Sequence, residues 1–311
     1  MIAPIDFNDR MLSLGLARVS EAAAHAAAAL IGRGDGPGAN LAAVTAMREQ
    51  LNMLDIDGTV VIGEGVREAA PMLYIGEKVG NGKGPAVDIA LDPLDGTLLT
   101  AQDRPNALTV IAMAPAGTLM ALSEGMIEQL AIGPGYAPDV IGLDMSPAER
   151  IAALAAALGV QAADITCCVA DRPGHHRLIT ELRQTGAAIR LMADGDLAGA
   201  MDCADPGLSG IDVYMGWGAA PGAVLAAAAL KCMGGQIWAR ADGGTDAGLI
   251  YGRDDLVQSD VIFAATGVTD GSLLRGVRRA PHFIETETVL MRSKTGSLRR
   301  MIYRNPVRRE G

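Results

Sequence analysis

The chain has 311 residues, half of them apolar, with 39 glycines, 3 % aromatics and a formal net charge of −10. That length accommodates one large domain or two closely packed ones, with a sizeable core made of Ala, Val, Leu, Ile and Met. The negative balance and the scarce aromatics argue against a general grip on polyanions, an anionic-membrane surface or a base-stacking nucleic-acid face. A phosphate substrate stays open, because a bound metal ion can reverse the local field.

Residues 1–10 show no clear pattern. Leu14 to Ile31 reads as an Ala-rich helix ended by Gly32 and Gly34, and Leu41 to Leu54 as a second helix with Asn40 as its natural N-cap. Thr59 to Ile62 is a predicted strand that delivers Glu64 between two glycines. Pro71 to Gly80 is amphipathic. Val87, Ile89 and Leu91 alternate with Asp88 and Ala90 in the period of a half-buried strand. Pro93 and the Asp95-Gly96 pair should then turn the chain. Strands follow at Asn106–Ala114 and Met126–Ile132, and a helix capped by Ser146 runs to Leu158. Beyond it come strands at Ile165–Ala170, Ala188–Ala193, Ile211–Gly216, Gln236–Ala241 and Val261–Thr266. Helices at His176–Gln184, Leu197–Met201 and Ala223–Met233 alternate with them. Glu285–Met291 and Ser297–Arg304 close the chain as a hairpin around Lys294-Thr295-Gly296.

The pattern is α/β, with mixed sheets between layers of helices. We divide it into a 1–150 region carrying the acidic turns and a closely packed 151–311 region. Cys167, Cys168, Cys203 and Cys232 suit buried thiols better than disulfides or zinc, two of them being adjacent in an apolar run. No basic leader with a long apolar run opens the chain, and no stretch of 18 apolar residues lacks Gly or charge, so a cytoplasmic location is expected.

The central stretch is Val87 to Thr97. Asp92 and Asp95 arrive at a strand's carboxyl end on either side of a bend, with the Leu94 carbonyl between them. Two carboxylates and a carbonyl on a rigid turn form a hard-oxygen site suited to Mg²⁺ or Mn²⁺. The bland alternative is an Asx-turn between strand and helix. Glu64 is either a surface turn residue or a ligand. Glu68, on the same loop, is either a second carboxylate able to activate water or a solvated loop acid. Asp194-Gly195-Asp196 is either an ordinary turn or a pair of acceptors for hydroxyls.

The string Asp92-Pro93-Leu94-Asp95-Gly96-Thr97 resembles the metal turn of the lithium-sensitive, metal-dependent sugar and inositol phosphatases. With Gly63-Glu64-Gly65, Gly32-Arg33-Gly34-Asp35 and Asp194-Gly195-Asp196 in order, the chain resembles class II fructose-1,6-bisphosphatase, the bacterial type, from about Leu16 to Arg304. The resemblance implies a layered αβαβα sugar-phosphatase fold. It implies hydrolysis of a sugar bisphosphate, fructose 1,6-bisphosphate by default, and a homodimer or homotetramer. It makes Glu64, Asp92, Leu94 and Asp95 ligands of Mg²⁺ or Mn²⁺, and it gives Asn40, besides capping, the alternative role of a metal ligand, at a position where the family pattern carries a metal-contacting aspartate. Thr97 would orient or deprotonate the attacking water, with Glu68 as a second candidate. Asp95 and the backbone N–H groups of Gly96 and Thr97 would meet the phosphate. Asp194 and Asp196 would bind sugar hydroxyls, and Arg172 with His175 the distal phosphate, since a guanidinium fork matches phosphate.

Several positions depart from the family pattern. Gly36 and Gly174 stand where basic residues are usual, and Asn40 and Gly222 where metal carboxylates are usual. Val66 and Ala69 replace acidic residues, and the segment between Arg240 and Ser259 is short. These departures define a competing reading: a divergent paralogue with another substrate, or a non-catalytic ligand-binding or regulatory protein on the same fold.

Overall fold

A computed structural model describes residues 10–66, 72–122, 125–242 and 247–306. The chain divides into two compact units, Met1–Ala121 with Gln258–Gly311, and Leu122–Val257. This differs from a division at residue 150. The last strands of the chain pair with the first sheet, so the first unit is discontinuous and the second is inserted into it.

The first unit opens with helix α1 (Arg10–Ala28) and helix α2 (Gly36–Leu51). Leu12, Leu16, Val19, Ala23 and Ala27 recur at helical spacing on α1 and are buried. Alanines on that face let the helix lie close on the sheet. Helix α2 starts earlier than its apolar pattern suggests. Asp35 caps it by accepting the Gly38 N–H, and Pro37 sits in the first turn, where the missing N–H costs nothing. Asn40 is therefore the fifth residue of the helix and not its cap.

The strands of this unit are β1 (Asp57–Ile62), β2 (Lys78–Val79), β3 (Ala86–Asp95), β4 (Leu108–Pro115), β11 (Ile262–Gly267), β12 (Arg278–Arg279), β13 (Phe283–Arg292) and β14 (Ser297–Pro306), with a short helix α3 (Thr97–Ala101) after β3. Their order is β12–β13–β11–β4–β3–β1–β2, with β14 against β13. Only β1 and β3 run parallel among these pairs. The closing hairpin forms as the sequence predicts, turning at Gly296 with φ of 57°.

Strand β3 departs from the half-buried pattern: Val87 to Leu91 are buried on both faces. The buried carboxylate of Asp88 is satisfied there by the N–H groups of Thr118 and Leu119, at 2.9 and 3.1 Å. Nor does the strand stop before Pro93. It continues to Asp95, and its ladder with β4 shifts register between Asp92 and Asp95. Proline has no N–H to give, so the strand passes it as a bulge.

The second unit has strands β5 (Met126–Ile132), β6 (Thr166–Ala170), β7 (Ala188–Met192), β8 (Val213–Ala219), β9 (Gln236–Ala241) and β10 (Ile250–Gly252), ordered β10–β9–β5–β8–β6–β7. Strand β6 runs parallel to both β7 and β8, and the remaining pairs are antiparallel. Its helices include α4 (Pro147–Leu158), α5 (His176–Gln184), α6 (Asp196–Asp202), α7 (Pro206–Ser209), α8 (Ala220–Met233) and α9 (Arg253–Leu256). Ser146 and Glu149 form a capping box at the start of α4. Helix α8 is buried along nearly its whole length, so its hydrophobicity runs all round. The protein is thus mixed α/β, with two mixed sheets among the described residues. Each unit has its own core, around Leu16, Met47 and Ile111 in the first and Leu130, Ile151 and Met215 in the second. All four cysteines are buried and outside any disulfide.

Candidate active site

The bulge in β3 sets out the acidic turn. Asp92 accepts the Leu94 N–H on Oδ1 at 3.0 Å, closing an Asx-type turn around Pro93. Leu94 is buried, while Asp92, Asp95 and Thr97 are half-buried. Gly96 follows with φ of 95° and stands just before α3. A Cβ there would lie 2.9 Å from Leu99 Cδ1 and 3.3 Å from Ala107 Cα, so both the conformation and the space require glycine. The hydroxyl of Thr97 donates to the Leu94 carbonyl at 3.2 Å. The Asx-turn that the sequence allows is thus formed here.

Two further segments bear on this turn. Residues 32–36 are stitched to α3, with the Gly32 N–H on the Thr100 carbonyl and the Gly34 N–H on the Ala101 carbonyl. The first residue of α2, Gly36, then lies so near Thr97 that a Cβ on it would come 2.9 Å from Thr97 Cγ2. Glycine at 36 thus gives Thr97 its place. On the other side, Glu64 follows β1 by two residues and Asp92 lies two residues beyond Ala90, the partner of Ile62, on the parallel strand β3. Both residues therefore lie toward the carboxyl ends of these neighbouring strands.

The Asn40 side chain reaches Glu64 and donates from Nδ2 to Oε2 at 2.6 Å. Burial raises the Glu64 carboxyl above its ordinary value, and the Asn40 hydrogen bond acts against that rise. Glu68 lies outside the described residues.

As donors, Glu64, Asp92, Asp95 and the Leu94 carbonyl fit a hard divalent cation. Among the described residues, no three His, Cys, Asp or Glu side chains are gathered as a metal group. Here Glu64 Oε2 is turned to Asn40 and Asp92 Oδ1 to its own turn. The chemistry of the set fits such an ion, with each of these oxygens held meanwhile by an N–H donor.

The second unit assembles the other predicted residues. Asp194 lies just past β7, and Asp196 begins α6 after Gly195, whose φ is 93°. Arg172 bridges both carboxylates, to Asp194 Oδ1 at 2.8 Å and Asp196 Oδ2 at 3.0 Å, and donates to the Trp217 carbonyl at 3.3 Å. Burial alone would lower the Arg172 pKa, but Asp196 and then Asp194 outweigh it and hold the guanidinium above its ordinary value. Burial raises the Asp196 carboxyl, with Arg172 opposing.

His175 is a correction to the sequence reading. It is 2 % exposed, its Nδ1 lies 2.7 Å from the Ala170 carbonyl, and its Nε2 accepts the Trp217 N–H at 2.8 Å. Both ring nitrogens are used by the backbone, so the imidazole braces the loop and has no edge to offer a phosphate. Gly174 and Gly222 have nothing within 4 Å of where a Cβ would stand.

The structure adds a capping role for Asp35 and an ion pair between Arg48 and Glu77. Asp35 before Gly36-Pro37 is a legible helix start. Arg48 and Glu77 form an ion pair at 2.5 Å across 29 positions, with no local signal to mark it.

The model for "Bacterial fructose-1,6-bisphosphatase, glpX-encoded" matches residues 10–304. The chain is 40 % identical over 318 residues to fructose-1,6-bisphosphatase 1 class 2 of Escherichia coli K12, covering 94 % of each protein. It is equally similar to the class 2 enzyme of Shigella flexneri, with the same coverage. Among solved structures, the inositol monophosphatase of Anabaena (Nostoc) sp. PCC 7120 aligns with 63 % of this chain and 71 % of its own, at 13 % identity and a TM-score of 0.33. The acidic turn, the Glu64 loop and the Asp194–Asp196 turn all fall within the matched span, and the chain belongs to the bacterial, glpX-encoded fructose-1,6-bisphosphatase family.

Proposed function

We propose that this protein is a phosphoric monoester hydrolase that converts fructose 1,6-bisphosphate to fructose 6-phosphate and phosphate, in carbohydrate metabolism and gluconeogenesis. The observation that carries this reading is that the Asp92–Thr97 turn and Glu64 both lie toward the carboxyl ends of two neighbouring parallel strands. Glu64, Asp92, Asp95 and the Leu94 carbonyl would hold Mg²⁺ or Mn²⁺. A bound divalent ion supplies Lewis-acid neutralisation of phosphoryl charge and helps ionise water.

The chain's own groups do the rest. The backbone N–H groups of Gly96 and Thr97 point a phosphate into the turn, with Asp95 beside it. Thr97 orients the attacking water, its hydroxyl proton already directed at the Leu94 carbonyl. A threonine hydroxyl is a weak base by itself, and Glu68 is the second candidate for drawing off the water's proton. Asp194 and Asp196 accept sugar hydroxyls. Arg172, held between them, serves the phosphate that remains on the product. A homodimer or homotetramer in the cytoplasm completes the proposal. No helix among the described residues is long and apolar enough to cross a membrane.

The test is phosphate release against a panel of sugar phosphates and bisphosphates, with Mg²⁺, Mn²⁺ and EDTA arms. We expect release from fructose 1,6-bisphosphate that requires the metal. We expect it to fall by about 10²–10⁴-fold in Thr97→Ala, in the range of a lost proton-handling group, and to vanish in Asp92→Ala. A folded protein that releases no phosphate from any of these substrates overturns the reading.

A further inference from the structure

Glu64 is held at two places, at its side chain by α2 and at its backbone by the Leu73 carbonyl. At its side chain, the Asn40 amide donates to Oε2 at 2.6 Å. At its backbone, the Glu64 N–H is taken by the Leu73 carbonyl at 3.0 Å, and the next carbonyl, Gly65, receives the Ile75 N–H at 2.9 Å. The approach is so tight that a Cβ on Gly63 would stand 2.2 Å from the Leu73 oxygen.

Leu73 can present that carbonyl because it adopts φ of 55°, a conformation costing a leucine about 1–2 kcal/mol. What holds it there is Glu77. This carboxylate is 4 % exposed. One oxygen accepts the Leu73 N–H, and the other accepts Arg48 Nε at 2.5 Å. Arg48 and Asn40 are eight residues apart on α2, roughly two turns or 12 Å.

We infer that α2 is the positioning element of the cation site, setting Glu64 before any ion arrives: Asn40 aims its carboxylate, and the Arg48–Glu77 pair locks its backbone through Leu73. Asn40 and Glu77 are positioning residues, acting on the ion through Glu64. With Oε2 on the amide, Oε1 is the oxygen directed to the cation. A carboxylate already fixed loses less freedom on binding than one that must be ordered by the ion. This rests on the proposed role of Glu64 as a ligand.

The test uses the full chain stripped with chelator and Mn²⁺ alone as probe, followed by calorimetry and by the electron paramagnetic resonance of free Mn²⁺. Glu64→Ala establishes the ligand. Asn40→Ala and Glu77→Gln should each weaken Mn²⁺ binding by about 10–100-fold, the effect expected of groups that orient a ligand. In a Glu64→Ala background neither should weaken it further. Wild-type affinity in both single variants, with Glu64→Ala weakened, overturns the positioning role and leaves the ligand standing. Equal losses with and without Glu64 also overturn it. Unchanged Mn²⁺ binding in Glu64→Ala removes the ligand itself, and the inference with it. Should Glu77→Gln fail to fold, Asn40→Ala, at a half-buried position, and Arg48→Met carry the same comparison.

Discussion

A methyl group at position 36 would stand 2.9 Å from Thr97 Cγ2, and the two cannot both keep their places. Gly36→Ala should therefore push Thr97 from its position against the Leu94 carbonyl. We expect kcat to fall about tenfold or more with a small change in KM, since displacements near 1 Å cost up to about 10²-fold. Steady-state kinetics on the purified variant check this, and unchanged kcat would mean that the Thr97 side chain is free to move. Burial acts differently on the thiols. It pushes Cys168 up to about 12 and raises Cys167 and Cys203 well above the ordinary thiol value. The sign is clear: a raised pKa leaves the thiol protonated at pH 8, with about one Cys168 in ten thousand ionised. These three should resist a thiol-specific disulfide reagent in the native protein and react fully in denaturant.

At the scale of an element, α2 does the most. Its cap, Asp35, sets where the helix begins, and its first residue touches the segment that carries Thr97. Asp35→Ala should cost about 1 kcal/mol of stability and lower kcat as well, because the helix start and the Thr97 position are joined. Ser146→Ala removes a cap of the same kind from α4, which carries none of the proposed site residues. It should cost a similar amount and leave kcat alone. Denaturant titration and kinetics on the pair separate capping from site support. Much of this element was legible. The helix itself follows from its apolar spacing, and Asp35-Gly36-Pro37 is a start signal. Assigning the cap to Asn40 failed because a polar residue before an apolar run satisfies the capping rule locally, while its true partner, Glu64, is 24 residues away.

At the scale of the molecule, the discontinuous first unit has a consequence. Strand β13 contributes Val289, Leu290 and Met291, all buried, to the sheet that carries the acidic turn. Their loss removes roughly 5–9 kcal/mol at about 1.5–3 kcal/mol each, comparable with the whole stability of a typical domain, about 5–15 kcal/mol. A chain ending at His282 should therefore lose hydrogen-exchange protection in β3 and β4. It should keep protection in β5 and β8, which pair within the other unit. Protection retained in β3 would show that the closing hairpin is an appendage.

By itself the sequence determined the α/β class, most element positions, the buried thiols and the Asp92–Thr97 and Gly63–Gly65 turns, because each depends on residues within one strand, helix or bend. Only the tertiary structure decided how those pieces were used. The return of the last strands to the first sheet made the division discontinuous, since strand pairing over long separations leaves no local mark. His175 went to the backbone of Ala170 and Trp217, Arg172 went between Asp194 and Asp196, and Asn40 went to Glu64. A polar side chain's partner is whichever donor or acceptor the fold brings within about 3 Å, and spacing along the chain carries no information about that distance.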